Sequence, residues 1–149
     1  MPDYINANLL SKGDLDSVLD RTVSAIHNTT CTQLGNYAFA DCTSLEVLDI
    51  PNVSNVGASA LLNCPLSEVI LGVPTLNSTN MPGKVFVAAT KLTKVYFPSC
   101  SKLYSSVFSG CTSLSSAVLP MCNYMTRNAF YNCDSLISME MPFCTFLGQ

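Results

Sequence analysis

The sequence predicts a repeat solenoid, a ribbon wound so that each coil of about 22 residues adds one short β-strand to a continuous parallel sheet. Three observations carry this expectation. Phe39, Leu61, Phe86, Phe108 and Phe130 recur at intervals of 22, 25, 22 and 22 residues. Three places after each stands a small side chain: Cys42, Cys64, Ala89, Cys111 and Cys133. An apolar block then follows, in the copies Leu45-Leu48-Ile50, Leu66-Val69-Leu71, Leu92-Val95-Phe97, Leu114-Ala117-Leu119 and Leu136-Met139-Met141. One such coil cannot bury its apolar side alone, whereas stacked coils share a single core.

Each part of the repeat has a physical reading. The last two apolar positions of a block alternate, so they leave one face of a short strand while their neighbours leave the other. Pro51, Pro98, Pro120 and Pro142 close four blocks; lacking an N–H, proline ends a strand. The Ala-Phe-x-x-Cys segment fits either one turn of helix or a tight irregular turn with Phe and Cys inward. The second block runs on to Gly72-Val73-Pro74, and a loop bulging over Thr75 to Gly83 accounts for the longer interval.

The ends depart from the pattern. Asp14 is placed to cap a short helix with Leu15, Val18 and Leu19 on one face. Counting back 22 residues from Leu45 and Leu48 reaches Val23 and Ile26, so a degenerate first strand is expected over Thr22 to Asn28. The expected organisation is thus an N-terminal cap over residues 1–30, helix plus degenerate strand, and a solenoid of about five repeats over 31–149. Phe143 to Gln149 stops part-way through a further coil, which implies continuation or cover by another subunit.

Composition narrows the function. Hydrophobic residues make up 48% of the 149 and charged residues only 11%, yet no apolar run approaches the roughly 18 residues of a membrane span. Residues 1–50 carry seven acidic and two basic side chains; the remainder carries five basic and three acidic. Five dispersed cations do not form the dense stripe that nucleic acid demands. The N-terminus has an acidic residue at position 3 and no apolar stretch, so it does not read as a secretory signal.

Catalytic and metal chemistry find little support. His27 is the sole histidine and stands with no Ser-His-Asp or Cys-His grouping, so an edge-strand or capping role is expected of it. Asp14, Asp16 and Asp20 lack calcium-loop spacing and suit a helix N-terminus. The eight cysteines fall on two registers, Cys42, Cys64, Cys111 and Cys133, and Cys31, Cys100, Cys122 and Cys144. These are lines along a stack, unlike the converging close pairs of a zinc site. Coils about 5 Å apart would permit disulfides. Equivalent positions also hold Val53 and Ala89, which favours free thiols acting as small buried hydrophobes. No cofactor is expected.

The segment Asn36-Tyr37-Ala38-Phe39-Ala40-Asp41-Cys42-Thr43-Ser44-Leu45-Glu46-Val47-Leu48-Asp49-Ile50-Pro51 resembles one repeat of the BspA-like leucine-rich repeats. So do Val107-Phe108-Ser109-Gly110-Cys111-Thr112-Ser113-Leu114 and Ala129-Phe130-Tyr131-Asn132-Cys133-Asp134-Ser135-Leu136. The resemblance covers about residues 31 to 149. It implies a right-handed leucine-rich-repeat coil, and the setting of bacterial surface proteins, secreted adhesins and phage or prophage structural proteins.

Outward positions of the strands should form two lanes, Val47, Glu68, Lys94, Ser116 and Ser138, and Asp49, Ile70, Tyr96, Val118 and Glu140. Ile70, Lys94, Tyr96 and Val118 are the candidate contact residues, since an aromatic anchor ringed by smaller side chains suits an interface centre. The same pattern also arises from ordinary cross-strand packing. The expected function is a non-catalytic recognition or adhesion module in a phage tail or other surface assembly. Its partner would be a protein or surface glycan of a host cell, or other subunits of an oligomer. A virion-associated or extracellular location follows from the same resemblance. The alternatives are a purely structural self-assembling subunit and a fragment of a bacterial surface adhesin.

Overall fold

The computed structural model describes residues 9–10, 23–57, 60–73, 75–76, 86–104, 106–126 and 128–147. It is a parallel β-solenoid of about five turns. In chain order the strands are β1 (Leu9–Leu10), β2 (Ala25–His27), β3 (Gln33–Leu34), β4 (Val47–Ile50), β5 (Asn55–Val56), β6 (Glu68–Leu71) and β7 (Thr75–Leu76). They continue as β8 (Lys94–Tyr96), β9 (Lys102–Leu103), β10 (Ser116–Val118), β11 (Tyr124–Met125), β12 (Ser138–Glu140) and β13 (Phe146–Leu147). The even-numbered strands from β2 to β6, with β8, β10 and β12, form one parallel sheet in chain order. Its register sets Leu48 beside Ile26 and Val69, and Val95 beside Val69 and Ala117.

Burial alternates along these strands as the apolar blocks require. In β4 and β6 the inward residues Leu48, Ile50, Val69 and Leu71 are fully buried while Val47, Asp49, Glu68 and Ile70 are half-buried. The phenylalanines make one column: Phe86 stacks on Phe108 with ring centroids 5.4 Å apart, and Phe108 on Phe130 at 5.1 Å. Phe97 closes on both Phe86 and Phe108, at 6.0 and 5.8 Å. Phe130, Cys133, Leu136 and Met141 of the last described coil are only partly buried and pack against the core from one side.

The Ala-Phe-x-x-Cys segment is the irregular turn, and the helical alternative is set aside. Left-handed residues four apart bracket it: Tyr37 and Asp41 at φ 57° and 62°, Ser106 and Gly110 at 62° and 78°, Asn128 and Asn132 at 63° and 55°. Short polar side chains tolerate this region best, which suits Asp41, Asn128 and Asn132. The turns stack by main-chain bonds, Phe39 N–H to Ala60 C=O at 2.7 Å and Asp41 N–H to Leu62 C=O at 2.8 Å.

Beside the main sheet, hydroxyls repeat the same device. Ser67 Oγ donates to Glu46 C=O at 3.1 Å, Thr93 Oγ1 to Ser67 C=O at 2.9 Å and Ser115 Oγ to Thr93 C=O at 3.1 Å. The Ser and Thr that separate the apolar bursts therefore join coils as well as meeting solvent. Asn28 is the buried polar residue of the first coil, and its Oδ1 accepts from Thr30 N–H at 2.8 Å and Cys31 N–H at 2.7 Å.

Three expectations change. Each coil carries a second, two-residue strand where one strand was expected; these form two further parallel sheets, β1-β3-β5 and β7-β9-β11-β13. The chain turns at Pro51, Pro98, Pro120 and Pro142 and runs alongside its neighbours again, so main-chain pairing resumes on a second side. Thr75 and Leu76, expected to open a loop, pair with Lys102 and Leu103 instead. The helix expected over Asp14 to Leu19 lies outside the described residues, whereas Ala25–His27 forms a regular strand paired to Val47–Asp49.

No disulfide joins any of the eight cysteines, and the thiols do more than fill space. Cys64, Cys111 and Cys133 each donate S–H to the carbonyl of the phenylalanine one coil back, Phe39, Phe86 and Phe108, at 3.0, 2.8 and 3.1 Å. Cys31, Cys100 and Cys122 donate within their own coil to Gln33, Lys102 and Tyr124 carbonyls at 3.3 to 3.4 Å. Burial pushes the Cys64 and Cys111 thiols up to about 12, from an ordinary value of 9.0. Between those values the unfolded chain sheds protons that the folded chain keeps, so stability is full below pH 9 and falls as pH rises toward 12. Urea midpoints measured from pH 7 to 10.5 are expected to drop above pH 9, and to drop less in the Cys64→Ala, Cys111→Ala double variant.

Candidate functional site

The outward face of the main sheet presents two lanes whose order is fixed by pairing. One runs Ala25, Val47, Glu68, Lys94, Ser116, Ser138; the other runs His27, Asp49, Ile70, Tyr96, Val118, Glu140. Strand alternation aims these side chains away from the core. The four candidate contact residues are brought together: Ile70 and Val118 flank Tyr96 on the adjacent strands, and Lys94 precedes Tyr96 by two on β8. Tyr96 is 40% exposed, Lys94 is exposed, and Ile70 and Val118 are half-buried.

Charge along the lanes is ordered. Glu68 stands directly opposite Lys94, an unlike pair on neighbouring strands of the kind that stabilises a sheet. At the start of the second lane His27 Nδ1 pairs with Asp49 Oδ2, both side chains partly exposed. The period of 22 places Asp49 beside His27, so this contact is within reach of the sequence. The pair occupies the edge strand β2 of the described sheet and its neighbour. Among the described residues no group of three or more His, Cys, Asp or Glu side chains converges as a metal site would. Among them, too, no helix is long and apolar enough to cross a membrane.

The sheet face is thus shallow and mixed, with one aromatic ring, aliphatic flanks and an alternation of charge.

Two crystal structures share this build. A crystal structure of a leucine-rich repeat protein from Bacteroides ovatus is similar over 99% of this chain and 48% of its own, at 22% identity and a TM-score of 0.55. A leucine-rich cell surface protein from Faecalibacterium prausnitzii is similar over 92% of this chain and 42% of its own, at 17% identity and a TM-score of 0.50. The chain therefore spans about half the length of these structures, and the likeness concerns the fold. No curated protein matches the sequence. The model of the BspA type leucine-rich repeat region matches residues 21–143 in six copies. With its ladder of phenylalanines, thiols and paired strands, this chain belongs to the BspA-type leucine-rich-repeat family.

Proposed function

We propose that the chain is a non-catalytic recognition module whose outward sheet face, centred on Tyr96, contacts a protein or surface glycan of a host cell, as part of a phage tail or other surface assembly. Leucine-rich-repeat domains mediate protein interactions, which supports the coarser half of this reading. The observation that carries the finer half is the ring of Tyr96, 40% exposed between Ile70 and Val118 on a sheet whose other face is closed. A half-exposed aromatic on a rigid strand loses little side-chain freedom when a partner covers it.

The test pairs light scattering at several concentrations with binding to fixed bacterial cells and arrayed glycans. A monomer that binds is expected, with Tyr96→Ala plus Lys94→Ala weakening binding by about tenfold or more while thermal unfolding falls only by the small amount that two lost cross-strand pairs cost. Unchanged binding in that variant would remove the sheet face from the proposal.

A further inference from the structure

The second side of the solenoid differs in chemistry from the main sheet face. The sheet face carries His27, Asp49, Glu68, Lys94 and Glu140 along its two lanes. The stretches that form the second side include residues 28–36, 51–57, 98–104, 120–126 and 142–147, and the only charged residue in them is Lys102. Their other polar side chains are amides, hydroxyls and thiols. Lys102 is exposed and enters no ion pair among the described residues.

This cation stands beside an aromatic pair. The pairing of β9 with β11 sets Tyr124 directly against Lys102 on the next coil. The ring of Tyr124 meets that of Tyr104, with centroids 5.5 Å apart and planes at 46°. Both tyrosines are half-buried, so each is held by its surroundings and still reaches solvent. Leu103 is fully buried, and strand alternation turns its neighbour Lys102 the other way, outward. Asn123 is exposed just before Tyr124, and its side-chain amide has no partner among the described residues. The main chain here is already paired: Asn123 N–H donates to Ser101 C=O at 3.0 Å and Thr126 N–H to Leu103 C=O at 2.9 Å. A peptide added as a strand needs open main-chain groups, so recognition on this side falls to the side chains.

Two rings, one uncompensated cation and one available amide set the ligand's chemistry. Tyrosines offer rigid, amphipathic contact area, and asparagine adaptable hydrogen bonding. The ammonium group calls for an anion, since a charge-assisted hydrogen bond is the strongest contact within its reach. An acidic pyranose joins a C–H face, hydroxyls and a carboxylate in one stiff unit. We infer that the second side of the solenoid, at the step from β9 to β11, binds an acidic sugar residue of a polysaccharide. Its ring lies on Tyr104 and Tyr124, its carboxylate meets Lys102, and a hydroxyl pairs with the Asn123 amide. The site lies on a different side from the Tyr96 lane and stands or falls independently of it.

The probe is tetragalacturonic acid, titrated into the whole chain while backbone amide resonances are followed, with its methyl ester as the neutral counterpart. Saturable shifts at Lys102, Tyr104, Asn123 and Tyr124 are expected, and Tyr96→Ala should leave them unchanged. Lys102→Ala, at an exposed position, should weaken binding about tenfold, the scale of one hydrogen bond to a charged group. Tyr104→Leu keeps the bulk and loses the aromatic face, so it should weaken binding about fivefold while the main-sheet resonances stay in place. Three results would each overturn the inference. The methyl ester could bind the parent as tightly as the acid does. Lys91 and Lys94 could shift as strongly as Lys102, which is general attraction to the basic coils and no site. Tetraglutamate could saturate the same residues at lower concentration and so assign the surface to an acidic polypeptide.

Discussion

Phe108→Ala is expected to lower the stability of the chain by about 4 kcal/mol, the cost of emptying a phenylalanine site in a packed core. Phe108 is fully buried, stacks on Phe86 and Phe130 and meets the edge of Phe97. Its removal deprives three rings of a neighbour at once. The surrounding main chain has little freedom to collapse, since Phe108 N–H donates to Ala129 C=O and Phe108 C=O accepts both Cys111 N–H and Cys133 S–H. In a domain of this size the loss corresponds to a fall of roughly 10 °C in the unfolding midpoint. Circular dichroism against temperature and urea would show it. A cost below about 1 kcal/mol would mean that the column is not a shared core, and the architecture argued from it would fall.

The second large effect concerns a residue with no side chain at all. Gly72 follows β6 and passes beneath the preceding coil; a Cβ there would run into the carbonyl oxygen of Pro51, 2.8 Å from its carbon and 3.1 Å from Val53 O. Main-chain atoms held in a stack cannot step aside as a flexible side chain would. Gly72→Ala is therefore expected to cost about 3 kcal/mol, at the upper end for overpacking. Gly110→Asn provides the contrast. Gly110 has φ 78°, and a Cβ there meets nothing nearer than 3.4 Å. Asn128 and Asn132 already occupy the left-handed region in the next coil. That substitution should stay within about 1 kcal/mol of the parent. Equal losses at the two glycines would show that conformation, not close approach, governs both.

Much of the fold was legible because one period governs it. Once Phe39, Phe86 and Phe108 were aligned, the inward column, the strand positions and both outward lanes followed by counting, and the pairing register agrees. What escaped were features with no apolar signature. The second strand of each coil is two residues long, as in Lys102–Leu103, too short for alternation to be seen. The irregular turns depend on left-handed residues as different as Tyr37, Ala88 and Ser106, which no composition rule picks out. The thiols read as small hydrophobes because sequence shows size and not the carbonyl each one faces. The candidate contact residues were named from position alone, and their common neighbourhood on β6, β8 and β10 follows from register.

The alternation of closed and open faces along each strand has an evolutionary corollary. Each residue on the outward lanes pairs only with the strand before and the strand after. Substitution at one place is felt no farther than those neighbours, so the face is open to being rewritten letter by letter. The residues around Tyr96 are exchangeable in this way while the scaffold beneath stays the same.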